Sequence, residues 1–125
     1  MKLSALMVIN TIVCLVFGVA FAVIPWQVFA LYGVEPSLQL NYMGQLFGAA
    51  LLAFAILTWS ARKADDSDAR KAILLALFIG DVIGLVVALL GQFSGVVNAM
   101  GWSTVVIYLL LAIGFGYFRF AKSSA

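Results

Sequence analysis

Four long apolar runs, separated by short polar or aromatic stretches, set the hydrophobic pattern of this chain. The first three runs have about the twenty residues that a helix needs to cross a hydrocarbon core roughly 30 Å thick, and the fourth is somewhat shorter. We therefore predict an all-α membrane protein, a four-transmembrane-helix antiparallel bundle that forms a single domain over residues 1–125. The predicted spans are residues 3–24, 38–59, 72–91 and 103–118, with an interfacial segment at 25–37.

Breaks in the pattern coincide with residues that end or begin helices. Pro25 lacks the N–H that would continue the first span, and Trp26 favours the membrane interface. Gly33 can adopt the positive φ of a turn in the interfacial segment. Ser37 stands directly before the second span, where its hydroxyl can cap the helix. The first span is too long for a signal-peptide core, so we expect it to be retained.

Composition supports the membrane assignment and narrows the chemistry. The chain is 66% hydrophobic and 10% charged, against about 45–50% and about 25% in soluble domains. It has no histidine and a single cysteine, Cys14, inside an apolar run. We read Cys14 as a small packing residue, because a thiol in an apolar setting is inert. No catalytic set or metal-ligand spacing is present, so we expect neither an enzyme nor a bound cofactor or metal.

The distribution of basic residues predicts the orientation. All of them fall at the N-terminus, between spans two and three, or at the C-terminus, and four spans place these regions on one side of the membrane. The positive-inside rule then places both termini in the cytoplasm, and we expect a multi-pass protein of a bacterial inner membrane. The residues concerned are Lys2, Arg62, Lys63, Arg70, Lys71, Arg119 and Lys122.

Small residues recur at spacings of four within each span, which places them along one helix ridge. Lipid tails are as apolar as leucine, so helices in a membrane associate through close backbone approach or polar contacts. We favour packing inside the bundle over a dimer seam. The glycines assigned to helix packing are Gly18, Gly44, Gly48, Gly80, Gly84 and Gly116.

Asp81, the carboxylate at the centre of the third span, is the main candidate for chemistry. Helix rise places it ~15 Å from the cytoplasmic edge, and places Gln45 and Tyr108 ~10 Å from the outer edge. The three side chains could share one polar cluster, with Asn10 as a less central member. These four residues are the candidate ligand or proton site.

Two interpretations of Asp81 remain open. As a structural residue, it is a protonated carboxyl that donates to Gln45, Tyr108 or a backbone carbonyl group. As a functional residue, it exchanges protons or anchors a ligand, since ionisable groups inside membranes are costly and usually functional. No Lys, Arg or His lies in a span to pair with it.

Three stretches stand out as a pattern: Leu31–Gly33, Gly44–Leu52, and Gly80–Asp81 together with Gly95–Trp102. They resemble a pattern found in small four-span bacterial membrane proteins of uncharacterised function, and the layout is loosely similar to DoxX-like proteins. The resemblance implies the four-helix fold and carries no activity or catalytic residue with it.

For function, the sequence leaves two classes. The first is a non-enzymatic membrane component, either an accessory or assembly subunit of a larger complex or a small bundle that binds a lipid-like molecule. The second is a small proton-coupled transporter that acts as a homo-oligomer through Asp81. The expected partners are the lipid bilayer and a larger membrane complex or further copies of the chain, and nucleic acid is not among them.

Overall fold

A computed structural model describes residues 1–121, and all of its regular structure is helical. Four of its helices are long and apolar enough to cross a membrane, the last when it is counted through Ala121. The helices are α1 (Leu3–Val23), α2 (Pro25–Leu31), α3 (Leu38–Ala61), α4 (Asp68–Phe93) and α5 (Gly101–Gly116), followed by a π-helical turn (Tyr117–Ala121).

Local capping explains where α3 and α4 begin. The predicted cap at Ser37 is confirmed, because its hydroxyl accepts a hydrogen bond from the Leu40 N–H at 3.1 Å. Ser67 does the same for the Arg70 N–H at 3.2 Å, so α4 begins at Asp68, four residues before the predicted third span. A helix end is set by its cap and not by the edge of the apolar run, which is why hydropathy alone missed this first turn.

The segment after α1 contains a short helix. Pro25 occupies the first turn of α2, where its missing N–H costs nothing. Gly33 has a φ of 74°, the positive value predicted for it, and ends the segment in a turn. Gly95, between α4 and α5, has a φ of 75° and makes a second turn of this kind.

The last span differs from its predicted form. The sequence predicts one span over 103–118, whereas α5 begins at Gly101 and gives way at Tyr117 to the π-helical turn. Arg119 lies in this turn, and Lys122, one of the residues behind the orientation, lies outside the described residues.

The contacts within the chain divide it into two compact units, Met1–Arg62 and Lys63–Ala125. The first unit contains α1, α2 and α3, and the second contains α4, α5 and the π-helical turn. The predicted association of four helices in one bundle stays a prediction.

Close approach of backbones joins α1 to α3 in the first unit. A Cβ atom on Gly48 would lie 2.6 Å from the backbone nitrogen of Ala22 and 2.7 Å from the carbonyl oxygen of Gly18. A Cβ atom on Gly18 would in turn lie 3.1 Å from the backbone nitrogen of Leu52. Glycine at these positions lets the helices approach more closely than any other residue would.

Aromatic rings lie against glycines in the second unit. The Tyr108 ring on α5 covers Gly84 on α4, and the Phe78 ring on α4 covers Gly116 on α5, 2.7 Å from where a Cβ atom would stand. Phe115, which faces the interior, is fully buried. The α4–α5 pair therefore closes by ring-on-glycine packing, and the α1–α3 pair by backbone-on-backbone packing.

Candidate functional site

A buried polar cluster lies where α1 and α3 meet. Asn10 is 3% exposed and Thr58 is 0% exposed. The Asn10 amide donates to the Thr58 hydroxyl at 3.5 Å and to the Cys14 sulfur at 3.6 Å. The Thr11 hydroxyl lies 2.8 Å from the Thr58 hydroxyl and 2.9 Å from the Met7 carbonyl oxygen. These polar side chains lie between the two helices, so the cluster holds α1 and α3 together.

Sequence reasoning missed Thr11 and Thr58. Each hydroxyl also lies within hydrogen-bond distance of a carbonyl oxygen one turn earlier in its own helix, as Thr58 does with Phe54 at 2.9 Å. A threonine that bonds its own helix in this way can lie in an apolar run without a polar partner elsewhere, so the sequence does not indicate that it contacts another helix. The available signal was Asn10, a buried amide that needs a partner on another helix.

An apolar groove of about 320 Å³ runs along the face shared by α1 and α3. Its size is at the lower end of the range for small-molecule sites. Thr11 is the only lining residue with a polar side chain other than the indole of Trp59, and its hydroxyl is already bonded within the helix pair. The lining residues are Thr11, Leu15, Leu52, Ala55, Ile56 and Trp59.

A cation stands at the Trp59 end of this groove. The guanidinium carbon of Arg62 lies 3.6 Å from the centre of the Trp59 ring, and its Nη1 donates to the Trp59 carbonyl oxygen. Arg62 follows the last residue of α3 directly. The groove and the cation therefore form one surface with an apolar length and a positively charged end, which we call the α1–α3 groove and its Arg62 end.

The predicted site residues fall into both units. Gln45 is exposed on α3, and its amide donates to the Ala22 carbonyl oxygen at 3.2 Å. Ala22 belongs to the last turn of α1, where carbonyl groups lack partners within the helix. Gln45 thus caps the end of α1, and Asn10 belongs to the threonine cluster, so these two residues serve separate contacts in the first unit.

Asp81 and Tyr108 belong to the second unit. Asp81 is half-buried on α4, and its Oδ2 is buried without a hydrogen-bond partner among the described residues. Tyr108 places its ring against Gly84, which is three residues after Asp81 and on the same side of α4. The association of Asp81 with Gln45 in one cluster stays a prediction.

The assigned glycines occupy different surroundings. Gly44 faces α2, where a Cβ atom would lie 2.9 Å from the Phe29 ring and 3.3 Å from Pro25. Gly80 has nothing within 4 Å of a Cβ position among the described residues, so it takes no part in packing α4 against α5. The stripe of spacing four therefore contains both tightly packed and open positions.

Comparison of the chain with models of protein families, with curated proteins and with solved structures gives no match. The interpretation of the site therefore depends on its own geometry.

Proposed function

We propose that this protein is a non-enzymatic integral membrane protein that binds a lipid-like molecule along the α1–α3 groove. The observation that supports the proposal is the groove itself, an open apolar surface between two helices that are long enough to span a membrane. Apart from the indole of Trp59, its one polar group is the Thr11 hydroxyl, which is bonded within the helix pair, so the lining offers mainly dispersion contacts. Such a surface suits a hydrocarbon chain.

An accessory or assembly role in a larger membrane complex is the other form of this proposal, and in it the groove receives a helix of a partner protein. In either form we propose an antiparallel four-helix bundle in a bacterial inner membrane, with both termini in the cytoplasm. The supporting observation is the placement of the basic residues, which are absent from residues 25–37 and 94–101. The loose resemblance to DoxX-like proteins is compatible with this arrangement.

Purification in a mild detergent separates the two forms. We expect lipid to remain with the protein through size exclusion and to be recovered by extraction and mass spectrometry. Ile56→Phe, which adds volume at the groove, should lower the retained lipid, whereas Ile83→Phe on α4 should not. Retention of a stoichiometric partner chain with no lipid would favour the accessory role and contradict lipid binding.

Cysteine labelling tests the proposed orientation. In a Cys14→Ala background, Val96→Cys should react with a membrane-impermeant maleimide added to intact cells, and Ala64→Cys should react only after the cells are opened. Both positions are exposed, and neither side chain caps a helix. Labelling of Ala64→Cys but not Val96→Cys in intact cells would reverse the topology.

Asp81 supports a second candidate function, a small proton-coupled transporter built as a homo-oligomer. Its Oδ2 is buried without a partner among residues 1–121, in a helix apolar enough to span a membrane. A carboxyl group in such surroundings costs free energy unless something uses it or shelters it.

Substitution of Asp81 by asparagine discriminates between the two functions. The amide keeps the shape and hydrogen bonding of the carboxyl but cannot exchange a proton. Under the lipid-binding proposal, proteoliposomes of the wild type and of Asp81→Asn should show the same background proton flux, measured with an internal pH dye under an imposed potential. A flux in the wild type that Asp81→Asn abolishes would establish the transporter instead.

A further inference from the structure

The Arg62 end of the groove carries a positive charge that the described residues leave unneutralised. The only salt bridge among residues 1–121 joins Arg70 to Asp66 at 3.4 Å. Arg62 makes no ion pair with any of these residues, and it contacts the ring and the carbonyl oxygen of Trp59.

Stacking on Trp59 holds the guanidinium in place. A guanidinium over an aromatic face is stabilised by the ring quadrupole and keeps most of its N–H groups free to donate. Its planar fork matches phosphate and carboxylate oxygens. The fork is therefore presented, already oriented, beside the residue that ends the apolar groove.

We propose that the α1–α3 groove binds one acyl chain of an anionic lipid, whose headgroup is bound by Arg62. This inference rests on the proposed lipid binding and adds to it the class of lipid and the residue that selects it. The apolar lining accounts for binding of an acyl chain, because its one hydroxyl is already bonded within the helix pair. The guanidinium of Arg62, which has no ion-pair partner among residues 1–121, favours a headgroup with a negative charge.

The proposed orientation places the Arg62 end at the cytoplasmic surface, where anionic lipids are concentrated and each nearby Lys or Arg contributes about 1 kcal/mol of attraction. Any basic residue at a membrane surface would gain this much, so the test must separate a built site from general attraction. Arg119 is the matched control. It also stands at the end of a predicted span with its guanidinium over an aromatic ring, 5.1 Å from the centre of Phe120, but that ring does not line the groove, whereas Trp59 does.

Fluorescence of Trp59 reports directly on the groove. With Trp26→Phe and Trp102→Phe, Trp59 is the only tryptophan, and lipids brominated in the acyl chain quench it when they lie beside it. The protein is reconstituted in phosphatidylcholine containing brominated phosphatidylglycerol or, in parallel, brominated phosphatidylcholine. The ratio of the two quenching constants is the anionic preference at the groove.

We expect a preference of about fivefold or more for phosphatidylglycerol, the ratio that corresponds to about 1 kcal/mol for one cation. Arg62→Gln should bring the ratio close to one, Arg62→Lys should retain part of it, and Arg119→Gln should leave it unchanged. Raising the salt concentration to about 1 M, where the screening length falls to ~3 Å, should lower the ratio in the unsubstituted single-tryptophan protein and requires no further variant to fold.

Two outcomes would overturn the inference. In the first, both brominated lipids quench equally, while Ile56→Phe still lowers the retained lipid and Ile83→Phe does not. This result would support lipid binding and contradict selection of the headgroup. An equal drop for Arg62→Gln and Arg119→Gln would show attraction by the general surface charge. If Ile56→Phe and Ile83→Phe behave alike and no lipid is retained, the proposed function fails together with the inference.

Discussion

Gly48→Ala is expected to destabilise the α1–α3 pair by about 1–3 kcal/mol, the usual cost of adding a group to a filled contact. The new methyl group would stand 2.6 Å from the Ala22 nitrogen and 2.7 Å from the Gly18 carbonyl oxygen. Both are backbone atoms, so no side chain can rotate away, and the helices must separate. The dispersion contacts between α1 and α3 would weaken as the helices separate.

Gly80→Ala provides the matched control for this prediction. It makes the same change within another helix, where nothing lies within 4 Å of the new methyl group among the described residues. Alanine is the better helix former by about 1 kcal/mol, so this variant should be neutral or slightly more stable. Unfolding in mixed micelles with rising dodecyl sulfate, followed by circular dichroism, measures both. Equal losses in the two variants would refute the close contact at Gly48.

The same glycines show how far the sequence could predict the fold. Hydropathy located all four long helices because each contains an apolar run long enough to cross most of a membrane. It could not rank Gly48 against Gly80, since both are small residues in apolar runs. Which of them packs depends on the register of a neighbouring helix, and spacing within one helix carries no record of that register.

Helix ends followed a different rule. The Ser37 cap was predictable because a hydroxyl residue preceded an apolar run. The α4 cap at Ser67 was not, because charged residues separate it from the apolar run, and hydropathy reads these residues as a loop. The π-helical turn at Tyr117 likewise leaves no trace in the apolar pattern.

Candidate site residues were predicted in part. Asp81 and Asn10 stood out because a carboxylate or an amide is costly inside an apolar run. The groove was not predictable, since it depends on how Leu15 and Ile56, from different helices, leave space between them. In the sequence, Arg62 is only one of several basic residues. Its position at the end of the groove follows from its stacking on Trp59 in the structure.

The threonine cluster gives the second large prediction. Thr58→Val keeps the shape of a side chain that is 0% exposed and removes its hydroxyl, which leaves the Asn10 amide with only the sulfur contact at 3.6 Å. The cost should be about 1–2 kcal/mol, in the range for one buried polar group left without a partner. The same micelle titration measures it.

A double-variant cycle isolates the contact between the two helices. Asn10→Leu should lower the free energy of unfolding by a similar amount, because it removes the other partner of the same hydrogen bond. Once Asn10 is apolar, Thr58→Val strands no amide, so the pair of changes should cost less than the sum of the single costs. Interhelical hydrogen bonds in membranes give coupling energies of about 0.6 kcal/mol, with a maximum near 1.7.

Gln39→Leu supplies the reference for additivity. Gln39 is exposed in the first turn of α3, ~28 Å along the helix from Thr58, so its cost should add to that of Asn10→Leu without coupling. Full additivity of Asn10→Leu and Thr58→Val as well would contradict the bond between them. Coupling confined to this pair would show that α1 and α3 are joined by a dry polar contact at one end and by the glycine contact further along. The groove would then have a rigid wall, and a bound chain would lose little free energy to ordering the helices that surround it.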